Sequence, residues 1–276
     1  LHPLFLKTLE ILMRVLSFGA GVQSTALLHM MIEGLINPVD LIVFADTGWE
    51  PESVYSHVEQ CRIIADEYGI EWSTVSNDLG NAELSAVAGD ANGVHVPYFT
   101  RFSGKSGMVR RTCTRLFKIE PIRREIKRRM GLQKGERVKE SVEMVIGISS
   151  DEKQRMTQPV EKWLKHDYPL VNMRMTRLQC LDWMRDRGIT IPAKSACVFC
   201  PYKKRADWHE MKMNDPESWR KAVSFDNAMR DRTNDESQLF LLASLEPLET
   251  AKLITSTREA QTEFGFVDEC EGMCGV

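Results

Sequence analysis

The chain has 276 residues, is 43% hydrophobic and 27% charged, and carries a formal net charge of −3. That length can bury one sizeable α/β core with a smaller appended region, and the composition is that of an ordinary soluble protein. No apolar run reaches the roughly 18–20 residues of a membrane span, so no membrane partner is expected. The opening Leu1-His2-Pro3-Leu4-Phe5-Leu6 lacks the basic segment and small-residue cleavage site of a signal peptide. Residues 1–12 are expected to be an N-terminal extension, with Met13 as the native start. Seven cysteines stand at 61, 113, 180, 197, 200, 270 and 274. An odd count without a signal points to reduced thiols in metal or redox chemistry and to the cytoplasm.

Taken in order, an apolar strand over Val15-Leu16-Ser17-Phe18 enters a Gly-rich turn, Gly19-Ala20-Gly21, and an apolar helix opens at once from about Gln23 to Glu33. Such a turn offers backbone N–H groups at a helix N-terminus, where the dipole favours an anion. It is not a Walker A loop, because the Gly-Lys-Ser/Thr ending is missing. Leu41–Ala45 is an unbroken apolar run, as in a parallel strand covered on both faces. Asp46-Thr47-Gly48-Trp49-Glu50 follows at its carboxyl end, the ligand-binding edge of open α/β sheets. A helix from Pro51 to about Tyr68 and a strand over Trp72–Ser76 complete a β-α-β-α-β unit, the doubly wound signature.

Residues 78–112 are polar, rich in Gly, Asn and Ser, and expected to be irregular. After Arg110-Arg111-Thr112-Cys113 a helix carries Ile119, Ile122, Ile126 and Met130 on one stripe and basic residues on the other. From Arg101 to Met130 there are eleven Lys/Arg against two Glu, a stripe able to track a phosphate backbone or to be a solvated helix face. A strand over Val142–Ile146 delivers Gly147 through Arg155. Thr176 and Gln179 form the capping pattern of a further helix. Beyond Cys197-Val198-Phe199-Cys200-Pro201 the chain is expected to be mostly helical to about Glu259, ending in a mobile tail with Cys270 and Cys274. The expected division is a nucleotide-binding domain over 13–175, a helical cysteine-bearing region over 176–262 and the tail over 263–276.

The loop at 17–24 resembles the pyrophosphate-binding loop of the adenine nucleotide alpha-hydrolase (PP-loop) superfamily. With Asp46-Thr47-Gly48-Trp49, with Cys113, Lys118 and Pro121, and with Gly147, Asp151, Glu152 and Arg155 in that order, the chain is similar to the PAPS reductase-like branch. That branch includes APS and PAPS reductases and the DNA phosphorothioation sulfurtransferase subunit, and the resemblance spans roughly residues 14–205. It implies a Rossmann-like parallel sheet flanked by helices. It assigns ATP or an adenylyl-sulfate nucleotide to Ser17, Gly19, Gly21, Gln23, Ser24, Asp46, Thr47 and Gly147, with Asp46 on a nucleotide hydroxyl or on Mg²⁺. Lys118 and Arg155 would stabilise charge on the departing group. The loop is longer than the usual form, and Gln23 stands where an acidic residue is common.

The Cys197-x2-Cys200 spacing brings two thiolates to one centre, as in zinc and iron–sulfur sites. Since the resemblance puts Cys113 where relatives carry a cluster cysteine, a [4Fe–4S] cluster on Cys113, Cys180, Cys197 and Cys200 is expected, with structural Zn²⁺ as the alternative. If Cys180 is only a buried small hydrophobe, three ligands remain. Cys61 reads as packing. Glu269-Cys270 is similar to the Glu-Cys-Gly tail that carries the nucleophile in APS and PAPS reductases. The leading expectation is therefore ATP-dependent, cluster-assisted sulfur insertion, with nucleic acid as acceptor through residues 101–130 and a cysteine desulfurase as donor. Thiol-dependent reduction through Cys270, recycled by a thioredoxin-like reductant, is the second reading. A nucleotide-binding module without turnover is the third.

Overall fold

The computed structural model describes residues 11–87, 94–133, 135–136, 138, 140–231 and 237–253. The first half follows the expected alternation: β1 (Ile11–Phe18), α1 (Val22–Ile32), β2 (Leu41–Asp46), α2 (Glu52–Glu67) and β3 (Glu71–Ser76). Next come α3 (Leu79–Val87), the strands β4 (Phe99–Phe102) and β5 (Lys105–Met108), and a π-helical turn Arg115–Ile119 running into α4 (Glu120–Arg129). The chain continues through β6 (Ser141–Ile146), a 3₁₀ segment Ser150–Arg155, β7 (Leu164–Asp167), α5 (Pro169–Asn172) and α6 (Arg177–Asp186). It closes with α7 (Arg205–Asn214), α8 (Pro216–Asp231) and β8 (Ser237–Phe240).

A five-stranded sheet of order β3-β2-β1-β6-β7 has parallel pairing throughout. The order reverses at β1, which puts the β1–α1 turn at the topological switch point where ligands bind. Alternate side chains along the central strands feed opposite faces. Leu16, Phe18, Ile42 and Phe44 pack with α1, α2 and α6, whereas Val15, Val43, Met144 and Ile146 pack with α4. Helix α1 is buried on nearly every side, from Val22 through Met31, so no polar stripe marks its exposure. Helix α6 has the full capping box, Thr176 accepting from Gln179 N and Gln179 reaching back.

Two stretches depart from the sequence reading. Residues 78–112 are not one irregular excursion, for α3 and the β4–β5 hairpin lie inside it. The hairpin turns through Ser103 (φ +45°) and Gly104 (φ +75°), the two left-handed residues of a type I′ turn. The C-terminal part carries the expected helices α7 and α8 but adds a strand. Strand β8 pairs antiparallel with β4, Phe99 opposite Phe240, and makes a second, three-stranded sheet of order β5-β4-β8. This pairing is a contact across more than a hundred residues, which no local pattern announces. Strand β1 begins at Ile11, which pairs with Ser141.

The C-terminal helices hold their own apolar cluster around Phe199, Trp208, Ala222, Phe225 and Met229. One buried carboxylate secures the chain that leaves it. Asp226, 1% exposed, accepts from Leu248 N at 2.8 Å and from Leu241 N at 3.4 Å, and pairs with Arg230. Removing it strands two buried N–H groups and a cation. Asp226→Ala is expected to lower urea stability by about 3–5 kcal/mol, read as a shifted midpoint with an unchanged slope.

Candidate functional site

The β1–α1 turn forms one wall. Ala20 sits at φ +57° between Gly19 and Gly21 and is fully buried. This left-handed alanine costs about 1–2 kcal/mol, a strain typical of ligand-holding turns. Gly21 is the N-cap of α1 and provides no side-chain cap, so the first-turn amides are left for a ligand or water. The Ser24 hydroxyl donates to Gly21 O at 3.1 Å and the Thr25 hydroxyl to the same carbonyl at 2.9 Å. Ser17 is buried beneath the turn, 2% exposed. Gly147, at the end of β6, closes over the helix start. A Cβ there would stand 3.1 Å from Ser24 N and 3.2 Å from Gln23 Cβ. Only glycine allows that approach without displacement.

Gln23 has a specific partner that explains its departure from an acid. Its Nε2 donates to Glu152 Oε2 at 2.8 Å; Ser149 donates to the same oxygen at 3.3 Å, and Arg155 pairs with Oε1. A carboxylate at 23 would face the Glu152 carboxylate directly. Arg155 is thus held in a half-buried ion pair at the loop's flank.

The end of β2 forms the opposite wall. Asp46 accepts from Gly48 N (2.7 Å) and the Tyr55 hydroxyl (2.9 Å) on one oxygen, and from the Ser76 hydroxyl (3.3 Å) on the other. Burial, with Asp46 and Glu50 nearby, raises the Tyr55 phenol well above its usual range, so it stays a hydrogen-bond donor. Thr47 and Glu50 then turn inward. Glu50 Oε1 lies 3.3 Å from Thr47 Oγ1, 3.5 Å from Lys118 Nζ and 3.5 Å from Cys197 Sγ. Its Oε2 is buried with no hydrogen-bond partner among the described residues. The sequence reading quoted Glu50 but gave it no role. The signal was a carboxylate directly before Pro51 at the ligand-bearing edge of a buried strand.

The C-x2-C segment reaches this wall through its middle residues. Val198 N donates to Trp49 O at 2.7 Å, and Phe199 stacks on Phe225 (4.0 Å between centroids) and meets Trp49 edge-on (5.1 Å). Trp49 lies against α3, where a Cβ on Gly80 would come within 2.1 Å of its indole. Cys113, Cys197 and Cys200 consequently line one pocket with Thr47, Arg111 and Lys118.

Cys180 is not among them. It sits fully buried on α6 in the apolar cluster of α1 and β1, and burial, assisted by Asp151, pushes its thiol up to about 12. The expected four-cysteine cage therefore does not assemble, and among the described residues no three His, Cys, Asp or Glu side chains are placed to hold a metal ion. Of the four expected ligands, the structure brings Cys113, Cys197 and Cys200 to one pocket and places Cys180 in a different cluster. Cys61 is packing, as expected: it is buried, its thiol raised to about 12 by burial. Cys270 and Cys274 lie outside the described residues.

The basic stretch is largely committed within the fold. Arg115 pairs with Glu120, Arg123 with Glu161, and Arg128 and Arg129 with Glu125. Arg128, followed by Arg129 and Ser73, holds the Glu125 carboxyl down at about 2. Arg101 lies over the Phe240 ring and Lys127 over Trp163. Much of the charge that the sequence suggested for a phosphate backbone is matched inside the chain.

A family model for the phosphoadenosine phosphosulfate reductase domain matches residues 13–186. Among solved structures, a crystal structure of phosphoadenylyl-sulfate (PAPS) reductase from Candida auris, in a phosphate complex, is similar at 14% identity with a TM-score of 0.42. The match covers 65% of this chain and 74% of that one. No curated protein matches the chain. No helix of the described residues is long and apolar enough to cross a membrane.

Two substitutions test this geometry. Gln23→Glu places a second carboxylate against Glu152, whose charge raises the new group's pKa. The penalty is full above that raised value and is relieved as pH falls through it. The variant should melt below the wild type at about pH 8 and converge on it towards about pH 5. Gly80→Ala should displace the Trp49 indole and lower stability by about 1–3 kcal/mol, measured by urea unfolding.

Proposed function

The chain belongs to the phosphoadenosine phosphosulfate reductase domain family, and on that premise we propose that it is an enzyme acting on an adenine sulfonucleotide through thiols in the pocket at the carboxyl edge of β2. The observation that carries this reading is the placement of three cysteines and Lys118 in one pocket beside the ligand-binding edge of the parallel sheet. The nucleotide phosphate would lie on the first-turn amides of α1, which lack a side-chain cap, with Gly147 leaving the Ser24 N–H approachable. Asp46, held rigid by Gly48, Tyr55 and Ser76, would orient a ribose hydroxyl. Lys118 would stabilise negative charge on the group that leaves when a thiol attacks sulfur.

Cluster-assisted sulfur insertion into nucleic acid has less support. Cys180 lies in a different apolar cluster from Cys113 and Cys197, and residues of the basic helix face are ion-paired. The neutral Gln23, hydrogen-bonded to Glu152, also removes a carboxylate that would help hold a metal–ATP complex.

Purified full-length chain, incubated with a dithiol and in turn with adenylyl sulfate, 3′-phosphoadenylyl sulfate and ATP, is expected to release sulfite from a sulfonucleotide and no pyrophosphate from ATP. Pyrophosphate from ATP, with no sulfite from either sulfonucleotide, would overturn this reading in favour of ATP-dependent sulfur transfer.

A further inference from the structure

We propose that His57, a buried residue of α2, is a positioning residue for the turn between β1 and α1. It fixes the Thr25 hydroxyl, and Thr25 fixes the Gly21 carbonyl on which the aim of the first-turn amides depends. The consequence for phosphate binding rests on the nucleotide reading above; the clamp itself does not.

The Gly21 carbonyl is where the turn is pinned. It accepts from Thr25 N at 3.0 Å, from the Ser24 hydroxyl at 3.1 Å and from the Thr25 hydroxyl at 2.9 Å. A trans peptide unit is planar, with its C=O and N–H opposed. Holding that oxygen against the helix therefore aims the Val22 N–H the other way, out of the helix N-terminus. Gly21 has no side chain with which to cap the helix itself. Ala20, just before it, stands at φ +57°, a strained conformation that persists only where the surroundings over-determine it. The donors converging on Gly21 O supply that constraint.

The Thr25 hydroxyl is in turn held from α2. His57 Nε2 lies 2.8 Å from Thr25 Oγ1, and a contact that short between two polar atoms needs a proton between them. Thr25 has one hydroxyl proton and gives it to Gly21 O, so Nε2 carries the hydrogen and donates. Burial, followed by the neighbouring His29, lowers the His57 ring to about 4. At neutral pH the imidazole is therefore uncharged, with a single N–H to place. Cys61 Sγ lies 3.4 Å from the same nitrogen, and the Phe18 ring stacks on the imidazole at 6.4 Å between centroids. Thr25 is fully buried and His57 is 8% exposed. The relay from Nε2–H to the hydroxyl to the carbonyl thus runs through the protein interior, where successive hydrogen bonds polarise and strengthen one another.

The test uses the full chain. In the wild type, imidazole nitrogen shifts measured by NMR should show His57 protonated at Nε2; a proton on Nδ1 alone would overturn the proposal without any variant. His57→Phe keeps a ring and removes the donor, whereas His57→Gln places an amide nitrogen near the position of Nε2. Thr25→Val removes the hydroxyl and Thr25→Ser restores it. Two readouts apply: hydrogen exchange of the Thr25 amide, whose bond to Gly21 O opens α1, and calorimetric titration with AMP and adenosine 3′,5′-bisphosphate. His57→Phe and Thr25→Val should each speed that exchange and weaken nucleotide binding about three- to tenfold. His57→Gln and Thr25→Ser should return both readouts towards the wild type. The His57→Phe/Thr25→Val double variant should bind no more weakly than Thr25→Val alone, because one relay is cut twice. Unchanged exchange or unchanged affinity in His57→Phe, a His57→Gln variant as impaired as His57→Phe, or additive losses in the double variant would each overturn the proposal. A wild-type protein that binds neither nucleotide, while its Thr25 amide responds to the substitutions as expected, would sink the nucleotide reading alone and leave the clamp standing.

Discussion

The contact on which the rest of this structure depends is the aromatic group Trp49, Phe199 and Phe225. Trp49 stands at the carboxyl end of β2, Phe199 lies between the two cysteines of the C-x2-C turn, and Phe225 belongs to α8. Each pair is worth about 0.5–1.5 kcal/mol beyond the area that it buries, but its positional effect is larger. The group fastens the C-terminal helices to the parallel sheet at the edge where ligands bind. It also carries Cys197 to Thr47 and to Glu50, which Lys118 reaches in turn, and brings Cys200 into the same pocket. Gly80 belongs to the same constraint, since any side chain there would collide with the indole.

Around this frame, buried and half-buried carboxylates set the chemistry. Glu152 receives Gln23, Ser149 and Arg155; Glu50 receives Thr47, Lys118 and Cys197. Taking a carboxylate out of water is costly unless cations and donors compensate, so each acid dictates its neighbours. The glutamine at position 23 follows from that rule: beside Glu152 an amide donates where a carboxylate would repel. The basic helix α4 obeys a surface version of it, with Arg128 and Arg129 closing on Glu125. Individually such exposed pairs stabilise little, but together they dispose of charge that the linear sequence presents as a continuous stripe.

Some elements were legible because their causes are local. The apolar runs of β2 and β6, the Gly-rich turn before α1, and the Thr176/Gln179 box of α6 each state their structure within a few neighbouring residues. The Ser103-Gly104 dipeptide marks a turn of the same local kind, but among the many polar residues of 78–112 it does not by itself single out a hairpin. The pairing of β8 with β4 had no such signature, because its hydrogen-bond partners lie on a distant part of the chain.

The sequence by itself determined the α/β alternation, the parallel sheet with the Gly-rich turn before α1, and the family. All of these rest on periodicity and ordered motifs that read along the chain. Only the tertiary structure decided which cysteines meet. A thiol's spacing says nothing of which helix face is buried, and packing of α6 on α1 draws Cys180 into the apolar core while the Trp49–Phe199 contact draws Cys197 and Cys200 to the sheet edge. The same holds for Glu50. Its chemistry comes from burial beside Lys118 and Cys197, groups far from it in sequence and brought together only when the two halves of the chain pack.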